Sequence, residues 1–126
     1  MTDFRSPLSR ARGLGSAKDG LQHWWMQRVT AIALIPLVVW FAVSLVMLSG
    51  ADYAVVRNWI GSPLDMVLLT LTIVVGLYHG QLGLQVVWED YTEGVLRVVL
   101  IVLTKFIAIV FGLGAILAIM RIGFGG

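Results

Sequence analysis

The sequence predicts an all-α integral membrane protein with three transmembrane helices, and three observations carry that reading. Of its 126 residues 59% are apolar and 13% are charged, and the mean hydropathy is +0.91. A soluble domain of this size needs more charge than that to cover its surface. Three apolar runs are each long enough to cross a bilayer, which takes about 20 helical residues. Backbone groups in lipid must be satisfied within their own segment, so each run is expected to be a helix.

The first run is VTAIALIPLVVWFAVSLVMLS, residues 29–49. Pro36 inside it removes a backbone donor and is expected to kink the helix near Ile32. The second run, residues 64–88, follows Ser62-Pro63-Leu64-Asp65. That order reads as an N-cap serine, a proline at the first helical position and an acid in the first turn. The third run covers residues 95–120. Trp24, Trp25, Trp59 and Trp88 fall at predicted helix ends, where interfacial anchors sit. Residues 1–28 form an N-terminal segment and residues 29–126 a three-helix membrane domain.

Charge distribution gives the orientation. Five of the nine Lys and Arg residues (Arg5, Arg10, Arg12, Lys18, Arg28) precede the first run, which keeps the N-terminus on the cytoplasmic side. The segment from Ala51 to Pro63 is then outside and the turn from Glu89 to Gly94 inside. A nucleic-acid partner is not expected, because the first aromatic residues near the basic tail, Trp24 and Trp25, abut a membrane segment. Asp3 and Asp19 speak against a transit peptide, and no short apolar stretch with a small-residue cleavage site speaks for a secretory signal. The chain contains no cysteine. It therefore holds no disulfide, thiolate metal site or iron–sulfur cluster of its own.

The chemistry-bearing stretch is GLYHGQLGLQVVWEDY, residues 76–91. His79 lies nine residues before Trp88, about 14 Å along the helix axis. That is near the middle of a hydrocarbon core about 30 Å thick, where an imidazole faces protein, a cavity or a ligand. At about 100° per residue, Gly83 falls about 40°, Gly76 about 60° and Gly80 about 100° from His79. The three glycines leave a shallow trough beside the imidazole, although Gly76-x-x-x-Gly80 is also an ordinary helix-packing spacing. Three roles fit a lone membrane histidine: a packing residue, a proton relay or a metal ligand. A relay favours further titratable groups at that depth, and the second run offers only Thr70 and Thr72 on the outer side. A flat group bearing a metal uses both the trough and the imidazole, as haem does. His23 lies at the membrane surface, too far away in depth to share one iron with His79. A second axial ligand therefore has to come from another chain.

Around the inner rim, Glu89 and Glu93 read as a solvated acidic turn. Asp90 and Tyr91 are open to two readings, a solvated rim or a polar mouth at which a phenol donates to a quinone carbonyl. Arg28 either flanks the first helix or meets a haem propionate. Lys105 lies within the third run, where it snorkels to the interface or pairs with an acid of a partner.

HWWMQRVTAIALIPL and HGQLGLQVVWEDY together resemble the small hydrophobic anchor (D-type) subunits of succinate dehydrogenase, complex II. With three helices and a cytoplasmic N-terminus, the resemblance covers nearly the whole chain. It implies half of a haem-containing helical bundle, completed by a larger C-type cytochrome b subunit, with iron–sulfur and flavoprotein subunits docked on the inner face. It implies that His79 is an axial ligand of a shared haem b and that Arg28 and His23 approach its propionates; the haem would then lie against the trough of Gly76, Gly80 and Gly83. It also implies that Tyr91 hydrogen-bonds ubiquinone, the substrate, with Asp90 beside it. Succinate oxidation belongs to the partners, so no catalytic residue is expected in this chain, which acts only within the complex. A bacterial inner membrane is expected ahead of a mitochondrial one. The alternatives are the anchor of a fumarate reductase and a non-redox small subunit of a transport or assembly complex.

Overall fold

The computed structural model describes residues 7–8 and 16–125. Four helices make up the chain from Ser16 onward: α1 (Ser16–Met47), α2 (Tyr53–Gly61), α3 (Pro63–Tyr91) and α4 (Gly94–Gly123). Three of them, α1, α3 and α4, are long and apolar enough to span a membrane. Their length, about 1.5 Å per residue, exceeds the hydrocarbon thickness. The chain is a multi-pass membrane protein.

The helices overrun the apolar runs that announce them. The helix α1 starts at Ser16, thirteen residues before the run beginning at Val29. An apolar run marks the part of a helix that sits in hydrocarbon, and nothing in LQHWWMQR breaks the helix beyond it. The same helix continues through Pro36. It ends at Met47 in a turn closed by Gly50, whose φ of +80° suits glycine.

The short helix α2 has no counterpart among the predicted elements. Asp52 caps it, its carboxylate accepting from the Val55 N–H at 3.0 Å. Trp59 stacks on Trp40 of α1, with ring centroids 5.8 Å apart. Ser62 is the N-cap residue of α3 with Pro63 behind it, but its side chain makes no capping hydrogen bond.

The fold is a row with α3 in the middle, packed on α1 along one side and α4 along the other. The backbones of α1 and α4 do not meet. Gly112 of α4 lies against Leu77 of α3. Nearby, the indole N–H of Trp88 donates to the Thr104 hydroxyl at 2.9 Å. Trp88, expected as an interfacial anchor, thus ties α3 to α4. Little of the molecule is enclosed: Leu69, Leu82 and Ile119 are the buried large apolar side chains among the described residues. Side chains such as Ile32, Val46, Phe106 and Phe111 stand more than 60% exposed. In a membrane protein such faces meet lipid or another chain.

Candidate functional site

His79 projects from the side of α3 that packs on α1. Its Nδ1 lies 3.0 Å from the hydroxyl oxygen of Thr30, a residue only 6% exposed. The same oxygen is 2.7 Å from the Met26 carbonyl and 3.1 Å from the Gln27 carbonyl. Carbonyls only accept, and the Thr30 hydroxyl has a single proton to give to them. With that proton on a carbonyl, the oxygen accepts from His79, the tautomer that carries its proton on Nδ1 and keeps a lone pair on Nε2.

Gly76 and Gly83 share this side. A Cβ on Gly76 would come 3.9 Å from a Leu34 methyl, and one on Gly83 would come 3.7 Å from the Gln27 amide nitrogen. Both distances are ordinary contacts, so α1 covers these two glycines without depending on their lack of a side chain. A Cβ on Gly80 would meet nothing within 4 Å, and Gly80 faces the groove between α3 and α4.

On α1 the residues 23, 27, 30 and 34 recur at helical spacing and form the stripe that faces α3. His23 Nε2 and Gln27 Oε1 on that stripe are buried without a hydrogen-bond partner among the described residues. Buried polar atoms left unpaired cost about 1–3 kcal/mol. His23 is seven residues before Thr30, about 10 Å along the axis, and does not share a ligand position with His79. Arg28 lies on the other side of α1, about 160° around the axis from Thr30. Its exposed guanidinium sits 5.4 Å from the centre of the Trp24 ring, a cation–π contact.

At its C-terminal end α3 remains helical through Tyr91. Asp90 therefore returns to about 20° from His79, about three turns nearer the helix end, while Tyr91 projects about 120° away. Both are exposed, Tyr91 at 83%. Arg97 of α4 holds this end in place: its guanidinium donates to the Glu89 carbonyl at 2.9 Å and to the Thr92 carbonyl at 2.8 Å. A cation on the last carbonyls satisfies acceptors a helix end otherwise leaves free, and it opposes the negative end of the dipole. Gly94, with φ +61°, makes the reversal into α4.

A third polar feature runs along the open side of α3. Gln81 donates to Gln85 at 3.2 Å, and Gln85 donates to Glu89 at 3.0 Å. With His23, Tyr78 and Lys105 the two glutamines line one groove between α1 and α4. Thr70 and Thr72 return their hydroxyls to the Met66 and Leu68 carbonyls of their own helix. Among the described residues no group of three or more His, Cys, Asp or Glu gathers to hold a metal ion. A metal on His79 would take its other ligands from outside the chain.

Sequence reasoning missed Thr30, Gln27 and Arg97. Thr30 carried a signal, as the first polar side chain inside an apolar run. Arg97 carried none, because its partners are backbone carbonyls.

Compared with known proteins, residues 2–120 match the family described as succinate dehydrogenase/fumarate reductase transmembrane subunit. A succinate dehydrogenase hydrophobic membrane anchor subunit of Rickettsia bellii is 34% identical over 96% of this chain and 98% of its own length. The corresponding subunit of Rickettsia conorii is 37% identical over 86% of this chain and 87% of its own. That of Paracoccus denitrificans is 29% identical over 97% and 95%. No solved structure matches the chain. A family match over nearly the full length, on a row of three spanning helices, makes this chain a member of the succinate dehydrogenase/fumarate reductase transmembrane subunit family.

Proposed function

We propose that this chain is the membrane-anchor subunit of a succinate:ubiquinone oxidoreductase, that His79 is one axial ligand of a haem b shared with a C-type cytochrome subunit, and that Asp90 and Tyr91 stand at the quinone site. The observation that carries the haem assignment is the pairing of His79 Nδ1 with Thr30, 3.0 Å apart, which leaves Nε2 with the lone pair an iron needs. His23, about 10 Å along α1 from Thr30, offers an unpaired Nε2 from which a propionate would accept. Arg28, exposed near the start of the membrane-embedded part of α1, is a second group for an anionic rim, although its side chain stands on Trp24, away from the α3-facing stripe. Gly80, open to the α3–α4 groove, and Gly76 and Gly83 beside His79 leave the middle of α3 slim. When bound, haem b supplies a one-electron carrier at mid-membrane depth.

The residues of this chain then divide the work. His79 binds and orients, His23 and Arg28 hold anionic groups at the rim, and the Tyr91 hydroxyl donates a hydrogen bond to a quinone carbonyl arriving from the lipid. Asp90 holds negative charge beside that hydroxyl, on the side from which protons arrive. Succinate is oxidised on the flavoprotein partner, and electrons reach the quinone through the iron–sulfur partner. The relatives named above are succinate dehydrogenase subunits, which favours that direction over fumarate reduction. Five Lys and Arg before the membrane-embedded part of α1 support a cytoplasmic N-terminus in a bacterial inner membrane. The test is the visible spectrum of the purified assembled complex. A haem b signal that is lost or altered by His79→Ala is expected; an unchanged spectrum in that variant would place the iron elsewhere.

A further inference from the structure

We infer that Thr30 is the positioning residue that fixes the tautomer and ring orientation of His79, and so tunes the electron-donor strength of the axial ligand. The inference rests on the haem assignment above and deepens it. Thr30 is buried at 6% exposure, and its hydroxyl oxygen is bracketed by three atoms of fixed role. The Met26 and Gln27 carbonyls, at 2.7 and 3.1 Å, compete for the hydroxyl proton, and with the proton on either of them the oxygen accepts from His79 Nδ1–H. A helical carbonyl cannot move without unwinding its turn. The oxygen of Thr30 is therefore held in place by the backbone of α1, and the imidazole by that oxygen. Threonine is β-branched, which limits its side-chain rotamers in a helix and adds to the rigidity.

A hydrogen bond accepted from the far nitrogen of a ligating imidazole raises the basicity of the ligating one, and losing such a partner typically costs about 10–100-fold in metal affinity. A more basic ligand stabilises the oxidised iron more than the reduced iron, so removing the Thr30 oxygen is expected to raise the haem midpoint potential. Thr30→Val keeps the shape and the β-branch and deletes the acceptor. Thr30→Ser keeps the acceptor and deletes a methyl group.

The experiment uses the whole assembled complex carrying wild-type chain, Thr30→Val, Thr30→Ser or His79→Ala. Three readouts are taken: haem midpoint potential by redox titration, the low-spin ferric EPR signal, and the rate of haem transfer to apomyoglobin. The expected result is a higher potential, a shifted EPR signal and about 10–100-fold weaker haem retention in Thr30→Val, with Thr30→Ser returned towards wild type. Complete haem loss in Thr30→Val with retention in Thr30→Ser supports the same conclusion. Wild-type potential and EPR signal in Thr30→Val, or Thr30→Ser faring no better than Thr30→Val, overturns it. His79→Ala separates the two levels: if its spectrum is unchanged the haem assignment itself fails, whereas a lost spectrum with a silent Thr30→Val defeats the positioning role alone.

Discussion

Two side chains on α3, twelve residues apart, stand in opposite circumstances. His79 is tied to a buried hydroxyl at 3.0 Å, while Tyr91 is 83% exposed at the rim. A phenol so exposed contributes nothing to packing, which makes its replacement a clean probe. Tyr91→Phe removes one hydrogen-bond donor and little else. Quinone reduction by the assembled complex is expected to fall about tenfold, the worth of a hydrogen bond of roughly 1.4 kcal/mol. Succinate oxidation by a water-soluble artificial acceptor should be unchanged, and equal loss of both activities would point to misassembly. At this scale the sequence was legible where a residue type is costly in its setting. An imidazole at mid-membrane draws notice by its depth alone. Thr30 did not, because a threonine in a membrane helix ordinarily satisfies itself on its own backbone, as Thr70 and Thr72 do. Only the packing of α1 on α3 reveals that it also serves His79. The side of α1 on which Arg28 falls likewise depends on that packing.

Among the elements, the spanning helices follow from hydropathy, since lipid permits no other backbone. Their ends do not, because a helix continues into the headgroup region wherever no residue stops it, as α1 does back to Ser16. The helix α2 escaped notice because nine residues with a single cap give too weak a pattern. The pairing of helices was beyond the sequence as well: glycine spacing on α3 marks slim surface without naming the neighbour. Midway along the seam between α3 and α4, a Cβ on Gly112 would lie 3.1 Å from the end of the Leu77 side chain. A methyl group there displaces only a mobile side-chain tip, whereas a longer side chain has to push two helices apart. Gly112→Ala is therefore expected to leave the complex close to wild type in thermal stability. Gly112→Leu is expected to destabilise it by about 1–3 kcal/mol, the usual range for overpacking. Thermal inactivation of detergent-solubilised complex checks the order; equal behaviour of the two variants would mean that the seam is loose. Trp88→Phe at the same seam, by deleting the bond to Thr104, should cost about 0.6 kcal/mol on the scale of membrane side-chain hydrogen bonds.

For the molecule as a whole, the thin core and the single row of spanning helices leave both broad faces of α3 partly uncovered. Lipid can cover apolar side chains, but it offers no partner to the orphaned His23 and Gln27 atoms. The chain expressed alone is accordingly expected to retain no haem, and co-expression with a C-type cytochrome subunit to restore it. A haem signal from the isolated chain would refute the two-chain site. Orientation is the remaining global property, and the absence of native cysteine makes it directly readable. Asp52 caps α2 at one end of the row, and Glu93 precedes α4 at the other; both are exposed. The proposed cytoplasmic N-terminus, argued from its five Lys and Arg, predicts that Asp52 faces outward and Glu93 inward. In spheroplasts, a membrane-impermeant maleimide should label Asp52→Cys at once and Glu93→Cys only after the membrane is opened. Glu93→Ala keeps the Arg97 clamp intact, since Arg97 binds the Glu89 and Thr92 carbonyls, and serves as the assembly control for its cysteine counterpart. The reverse labelling order would invert the chain, moving Tyr91 and Asp90 to the outer face. Proton uptake at the quinone site would then have to be drawn from the opposite side of the membrane.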